Sequence, residues 1–535
     1  SRGLVGSEMC IRDSYTPSQA QLDYVTANIF SNNEIDQIVR FGNVQGPLFD
    51  LPAGEVLGLV GFEQRKEAVD YRVDGGSKAD VYRAGYSADI SGAFSTSDVY
   101  YELFVPLLGN GFGELSLGGV SLLKGVDLEY SFRELDNSLA GVDEADNLGL
   151  NIRFTDDLRI RLNQQNAVRA PSMGELFQPV VAVGSFVSDP CDQSFIDAGP
   201  NPEVRRANCL ADAQRYGVDI TNWESFAKNA SVAGRAGGNV NLANESAEAQ
   251  GYGLVFQPSF VPGELSLAVD KIVIDIEDAI TSYSATQIMN ACYDSTSFPN
   301  NPFCGQFFRG DDFQLLRGAG EVAYIAGQVN AAIYEYEATI SELNYFNSVA
   351  DFANFAFGWA GLDLGDNFGD FQVNVKHIYN EKDLFSATGS DINDNTGQFG
   401  SSARNRFYTQ LQHFYGSFVS YIDVFYYGEG KFDNNWDFSE QPDKYVNVAT
   451  GEYLPNHIEG WYMVNAGVNV DASAYGLDGL ILRFRVNNLL DWQASSLWHR
   501  NQLRPDGESG TNYGPGSGEG GVIGQRLSFG FNYSF

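Results

Sequence analysis

Residues 526–535 read RLSFGFNYSF. Leu527, Phe529, Phe531, Tyr533 and Phe535 occupy every second position, and Ser528, Gly530, Asn532 and Ser534 fill the gaps. A strand sends alternate side chains to opposite faces, so this segment carries one wholly apolar, mostly aromatic face and one small, polar face. An aromatic closes the alternation at the last position of the chain.

The same alternation recurs upstream. Leu148, Leu150, Ile152 and Phe154 alternate with Gly149, Asn151 and Arg153; after a turn at Thr155, Asp156 and Asp157, Leu158, Ile160 and Leu162 alternate with Arg159, Arg161 and Asn163. This reads as a hairpin with one lipid-like face. An arginine at a bilayer midplane costs roughly 2–4 kcal/mol, so Arg153, Arg159 and Arg161 are expected to face a lumen. In 461–470, Tyr462, Val464, Ala466, Val468 and Val470 oppose Trp461, Met463, Asn465 and Asn469. In 480–488, Leu480, Leu482, Phe484 and Val486 oppose Ile481, Arg483, Arg485 and Asn487.

Further strands are read at 51–73, 98–108, 252–259, 264–276, 331–344, 352–364, 368–379, 404–414 and 416–427, the one at 264–276 changing phase near Asp270 and Lys271 as at a bulge. Residues 15–46 read as a short helix or an irregular crossing, with Ile29, Phe30, Ile35, Ile38 and Val39 as its apolar positions. The total is about fourteen strands. The periodicity disappears over 171–250, 281–320, 428–460 and 493–521, which read as long loops.

Composition agrees with an all-β, antiparallel barrel that crosses a membrane. Aromatics make up 13% of 535 residues, as 28 Tyr, 38 Phe and 6 Trp, alongside 58 Gly. Mean hydropathy is only -0.22, and no run of about 18 apolar residues exists, which excludes a helical membrane protein. A barrel keeps its average low because polar lumen positions alternate with apolar lipid positions. The net charge of -36 excludes a nucleic-acid binder with a broad basic surface.

Five cysteines occur. Cys191 and Cys209 bracket one loop stretch and Cys292 and Cys304 another, among Pro, Asn, Asp and Ser. Neither cluster has metal-ligand spacing, so two local disulfides in an oxidising compartment are expected. His377, His413, His457 and His499 are scattered over separate strands and loops, which offers no metal cluster or catalytic triad. Asp391, Asn393, Asn395 and Gly397 are similar to a calcium loop, but Gly397 falls one place late and Ser402 stands where a bidentate Glu is needed; a solvated turn is the better reading. No catalytic residue, metal site or cofactor is assigned, and no enzyme activity is expected.

Three further segments carry a family resemblance. Residues 166–179 (NAVRAPSMGELFQP) hold an Arg-Ala-Pro strand end followed by Glu-Leu-Phe, residues 238–245 read GNVNLANE, and residues 486–491 read VNNLLD. In this order, with the terminal aromatic strand, they resemble the C-terminal part of a TonB-dependent outer-membrane receptor. Val240, Ala243, Asn244 and Leu490 depart from the family's usual residues at these motifs. The resemblance implies a 22-stranded barrel around an N-terminal plug, of which this chain would hold a part. It also implies long extracellular loops and a place in the outer membrane of a Gram-negative bacterium. The implied activity is active import of a scarce nutrient, either a siderophore–metal complex or an oligosaccharide. The implied partners are the TonB energy-transducing complex, outer-membrane lipid, the barrel assembly machinery and a small-molecule substrate. A passive porin or adhesin-like barrel without energy coupling is the alternative.

Residues 1–14 (SRGLVGSEMCIRDS) are similar to translated adapter sequence of metagenomic assemblies, have no apolar core of a signal peptide, and contain the odd Cys10. The domain reading is therefore a non-native 1–14 followed by 15–535 as the C-terminal part of a receptor barrel, with the plug and TonB box outside it. Substrate contacts are expected from aromatic and polar groups on the loops, with Trp436, Tyr445, Tyr453, Trp498 and His499 as candidates. Leu527, Phe529, Phe531, Tyr533 and Phe535 are assigned to the barrel-closing strand.

Overall fold

The computed structural model describes residues 18–82, 85–118, 120–318, 320–361, 364–365, 368–387, 392–398, 402–431, 434, 460–491 and 524–534. The chain opens with strands β1 (Ser31–Leu51), β2 (Gly54–Val73) and β3 (Ile90–Leu108), a small hairpin of β4 (Leu115–Leu117) and β5 (Val120–Leu123), then β6 (Gly125–Asn137), β7 (Gly141–Arg153) and β8 (Leu158–Arg169). Next come β9 (Val181–Ser185), β10 (Val232–Gly237), β11 (Glu245–Phe256), β12 (Glu264–Ser282), β13 (Tyr324–Ser348) and β14 (Asp370–Ser386). The last are β15 (Asn393–Asp394), β16 (Asn405–Tyr415), β17 (Phe418–Tyr427), β18 (Trp461–Asp471), β19 (Leu480–Asn487) and β20 (Arg526–Tyr533).

Eighteen of these strands join one sheet. Its frame is an antiparallel meander of fifteen: β1, β2, β3, β6, β7, β8, β11, β12, β13, β14, β16, β17, β18, β19 and β20, each paired with the next. Among the described residues β1 and β20 each have one neighbour in it.

The register puts the alternation of the sequence to work. On one face lie Val126, Leu128, Tyr130 and Phe132 of β6, Ile152, Leu150 and Leu148 of β7, and Leu158, Ile160 and Leu162 of β8, paired across the ladder. Phe256, Leu254 and Tyr252 of β11 and Leu265, Leu267 and Val269 of β12 continue it, and Val486, Phe484 and Leu482 of β19 meet Leu527, Phe529 and Phe531 of β20. This outer face is exposed, Phe529 at 71% and Val60 at 55%. The next outer positions are Glu134, Asp146, Gln164, Gln250 and Lys271, so the apolar stripe gives way to polar residues on each of these strands. Its height, at about 3.3 Å per residue along the strand, is of the order of 20 Å, the scale of the roughly 25 Å apolar band on an outer-membrane barrel.

The two ends of the meander differ. At one end the connections are mostly short, as at 52–53, 154–157, 257–263 and 416–417. At the other lie 170–244, 283–323, 428–460 and 488–525, all of the longest. Strands β12, β13 and β14 run past the apolar stripe at this end and carry charged outer positions there: Lys271 bonds Glu337 at 2.9 Å and Glu381 at 2.5 Å.

Several sequence expectations are corrected. Residues 31–51 form β1, in place of an irregular crossing, and only Gln19–Val25 is helical. β1 hides its period because apolar residues sit on both faces: Ile35, Val39 and Phe41 share one, Ile38 and Val44 the other. β6 stands between 108 and 148, where no strand is expected, although its alternation is clean. Residues 352–364 hold a helix and a 3-10 turn in place of a strand. The phase change at Asp270 and Lys271 is no bulge; pairing continues through it, Lys271 marks the stripe's edge, and the register shifts later, between Ile276 and Ile280, where Asp278 has φ 53°. No helix among the described residues is long and apolar enough to cross a membrane.

Candidate functional site

The inner face is polar and laced with ion pairs. The three arginines expected to avoid the apolar face do so: Arg153, Arg159 and Arg161 alternate with Ile152, Leu158, Ile160 and Leu162. Arg161 makes a two-pronged bond to Asp270 at 2.9 and 2.6 Å, Arg153 lies 3.3 Å from Asp127, and Arg133 bonds Asp98 through Nε at 3.0 Å. An open groove of about 690 Å³ runs along this wall, lined by Gln45, Leu59, Glu102, Glu129, Ser131 and Asn147.

Above it, the two long connections 170–244 and 283–323 fold against each other as a cap on the long-loop end. Helices α1 (Pro202–Tyr216) and α2 (Ala285–Tyr293) supply its centre. Helix α2 starts with a capping box between Ser284 and Gln287, and α1 ends on Gly217 at φ 71°, a conformation glycine adopts without a Cβ clash. Val187, Ile196, Ile220, Ile288, Met289, Phe313 and Leu315 form its apolar core. Both expected disulfides are present, Cys191–Cys209 with Cα atoms 5.4 Å apart and Cys292–Cys304 with 4.9 Å.

A buried charge network joins the two connections. Arg309 is 1% exposed and its guanidinium bonds both Asp189 oxygens at 2.8 and 2.9 Å, the Phe313 carbonyl at 2.7 Å and the Tyr293 hydroxyl at 3.0 Å. Burial pulls the Arg309 guanidinium toward neutrality, and the charge of Asp189 outweighs it, so the group is held above its ordinary value. Burial likewise pushes the Tyr293 hydroxyl well up, so it stays protonated and donates to Asp212 at 2.6 Å. Arg205 clamps Asp294 with two bonds of 2.6 Å.

The sequence motifs sit where the cap meets the inner wall. Ser172 and Glu175 form a capping box on the single-turn helix Met173–Phe177, and Arg169 holds Glu175 at 3.0 and 2.9 Å while also pairing with Glu245. Burial raises the Glu175 carboxyl, and Arg169 with the Ser172 donors outweighs that, leaving it below the usual range. Leu176 and Phe177 then pack with Val69, Phe94 and Leu242. Leu242 belongs to the 238–245 motif, and Gly238 and Asn239 donate to the carbonyls of Gln178 and Glu175 at 2.9 Å. The two motifs are thus halves of one clasp. The third holds the start of β20: Gln525 donates to Asp491 Oδ1 at 2.8 Å and to the Leu489 carbonyl at 2.9 Å.

The candidate substrate residues Trp436, Tyr445, Tyr453, Trp498 and His499 lie outside the described residues, as do Phe535, His457, Asp391 and Cys10. His377 stacks on Phe407 with centroids 4.0 Å apart on the outer face, and the His413 Nε2–H donates to the Phe368 carbonyl at 2.7 Å. Asn393 and Asp394 pair with Phe385 and Leu384, and Gly397 donates to the Ser402 carbonyl, which makes the stretch a hydrogen-bonded turn. Among the described residues no group of three or more His, Cys, Asp or Glu could hold a metal ion. Sequence reasoning missed the Arg309 network because Asp189 and Arg309 are far apart in the chain and neither has a local pattern.

No protein-family model and no curated protein matches the chain. Among solved structures, a variant of the ferric enterobactin receptor PfeA of Pseudomonas aeruginosa, in complex with enterobactin, aligns with a TM-score of 0.52 at 14% identity over 94% of this chain and 55% of that one. The siderophore receptor PirA of Acinetobacter baumannii aligns with a TM-score of 0.53 at 14% identity, again over 94% and 55%. The chain has the fold of these receptors. It spans about half the length of each.

Proposed function

We propose that the chain forms part of an outer-membrane receptor barrel that imports a scarce small molecule, a siderophore–metal complex or an oligosaccharide, by TonB-coupled transport in a Gram-negative bacterium. The observation that carries this reading is the two-sided meander: an exposed apolar stripe of bilayer height outside and a polar, ion-paired wall inside. Exposing such a stripe to water is unfavourable, whereas lipid satisfies it and leaves the backbone bonded within the ladder. In this reading the cap end is extracellular and the short-turn end periplasmic, and the disulfides fit an oxidising exterior. The siderophore receptors that share the fold support an iron-chelate substrate over a sugar. Trp436, Tyr445, Tyr453, Trp498 and His499 belong to the loops from which substrate contacts are proposed.

The test uses the gene in its full open reading frame, expressed in a strain lacking its own receptors. Uptake of radiolabelled ferric chelates and of oligosaccharides is measured with and without a proton-motive-force uncoupler. Uptake of one class that the uncoupler abolishes is expected. Uptake that persists in the uncoupled cell would establish the passive porin instead.

A further inference from the structure

At the short-turn end one connection stands apart from its neighbours. Residues 349–369, between β13 and β14, hold helix α3 (Val349–Phe357) and the 3-10 turn Gly358–Ala360. Ser348 Oγ caps the helix by accepting from the Asp351 N–H at 2.9 Å. The Asn354 side chain then binds both the N–H and the carbonyl of Leu364, at 2.8 and 3.2 Å, which folds the rest of the turn back on the helix.

The helix leans on the outer wall. The Phe352 ring meets Tyr345 and Phe371 edge-on, with centroids 6.0 and 5.4 Å apart. Tyr345 pairs with Val373, which pairs with Leu411, and that row is the apolar stripe. Asn347, two residues on and on the same face, is buried, with its amide on the Pro262 carbonyl and the Tyr345 hydroxyl.

What the helix does not bury is aromatic. Phe355 is 58% exposed, Phe357 51% and Trp359 86%. The Trp359 indole N–H donates to the Ala356 carbonyl at 3.0 Å, so the ring can enter an apolar medium with its donor already satisfied. Asp351 is the one charged side chain in the helix, and it sits in the first turn.

We infer that α3 and its 3-10 turn are an interfacial anchor, lying in the boundary between acyl chains and headgroups of the periplasmic leaflet. Continuity decides the occupant: Phe352 seats the helix on the Tyr345 and Phe371 end of the outer apolar stripe, at the same short-turn end where Tyr415 and Tyr533 are exposed on neighbouring strands, and aromatic rings prefer the edge of the bilayer. With no basic side chain on the helix, the attraction is apolar and does not require anionic lipid. This rests on the membrane reading proposed above.

The experiment separates the two. The full chain and its Trp359→Phe variant are reconstituted with phosphatidylcholine vesicles, floated on a density gradient, and compared using lipid brominated at acyl carbons 6 and 7. Both are expected to float, and quenching by the brominated lipid is expected to fall in the variant by the share of one of the six tryptophans. Aqueous iodide should quench the two alike. If both float, brominated lipid quenches them equally, and iodide loses a component in the variant, the anchor is overturned while the membrane reading stands. If neither floats, the membrane reading fails and the anchor with it. Heat-modifiable migration of the variant, matching that of the parent, shows that the substitution leaves the barrel folded.

Discussion

Arg309 is the residue on which the cap turns. It brings a cation from 283–323 into contact with Asp189 of 170–244, with neither side chain reaching solvent. Removing one member of a buried pair strands the other, at a cost of about 3–5 kcal/mol, whereas replacing both with apolar groups is far cheaper. Arg309→Met is therefore expected to lower the protection of amides in α1 and α2 by that amount in native-state hydrogen exchange. The double substitution with Asp189→Leu should recover much of it. Asp192 adds a pH dependence. Burial raises its carboxyl, but the Ser194 and Ser225 N–H groups and the Lys228 ammonium outweigh burial and hold it below the usual carboxylate range. A group with a lowered folded-state value stabilises above its unfolded value and loses that contribution as the pH falls. The cap should thus be fully protected at neutral pH and lose protection below about pH 4, the unperturbed aspartate value, and Asp192→Asn should flatten that profile.

At the level of elements, the two faces of each strand make opposite demands. Leu150→Arg sets a charge at the middle of the outer stripe on β7 and is expected to cost roughly 2–4 kcal/mol, while Asn151→Arg next to it, on the inner wall, should be close to neutral. Urea titration of the reconstituted barrel, followed by tryptophan emission, separates the two. In the cap, Cys292→Ala with Cys304→Ala should remove about 2–4 kcal/mol of loop restraint. It should open 283–323 to limited proteolysis without changing the heat-modifiable migration of the barrel.

These elements also show what a sequence can disclose. β7, β8, β18, β19 and β20 are legible because one apolar and one polar face give them a strict period of two. Where that contrast is missing, so is the signal, as in β1 with apolar residues on both faces. Helix α3 imitates a strand because Phe355, Phe357 and Trp359 fall two apart, and only the Ser348 cap and the packing of Phe352 reveal the helix. The clasp between 166–179 and 238–245 shows in the sequence as two separate motifs, because their meeting depends on β8 and β11 becoming neighbours across a long connection.

The whole molecule divides its tasks by end. The long connections gather on one side, the short turns and α3 on the other, and the stripe runs between them from β6 to β12. The count of strands in the meander adds a consequence of parity. In an antiparallel run, an odd total delivers the first and last strands to opposite mouths, so the start of β1 lies beside the cap and the end of β20 beside the short turns. In the orientation proposed above, an enzyme offered to intact cells meets the cap, whereas an epitope fused after the final residue stays hidden until the envelope is breached. Protease shaving of living cells carrying such a fusion on the Cys292→Ala, Cys304→Ala variant should cut within 283–323 yet leave the fused epitope attached to the C-terminal fragment, giving the molecule an orientation by which its traffic can be read.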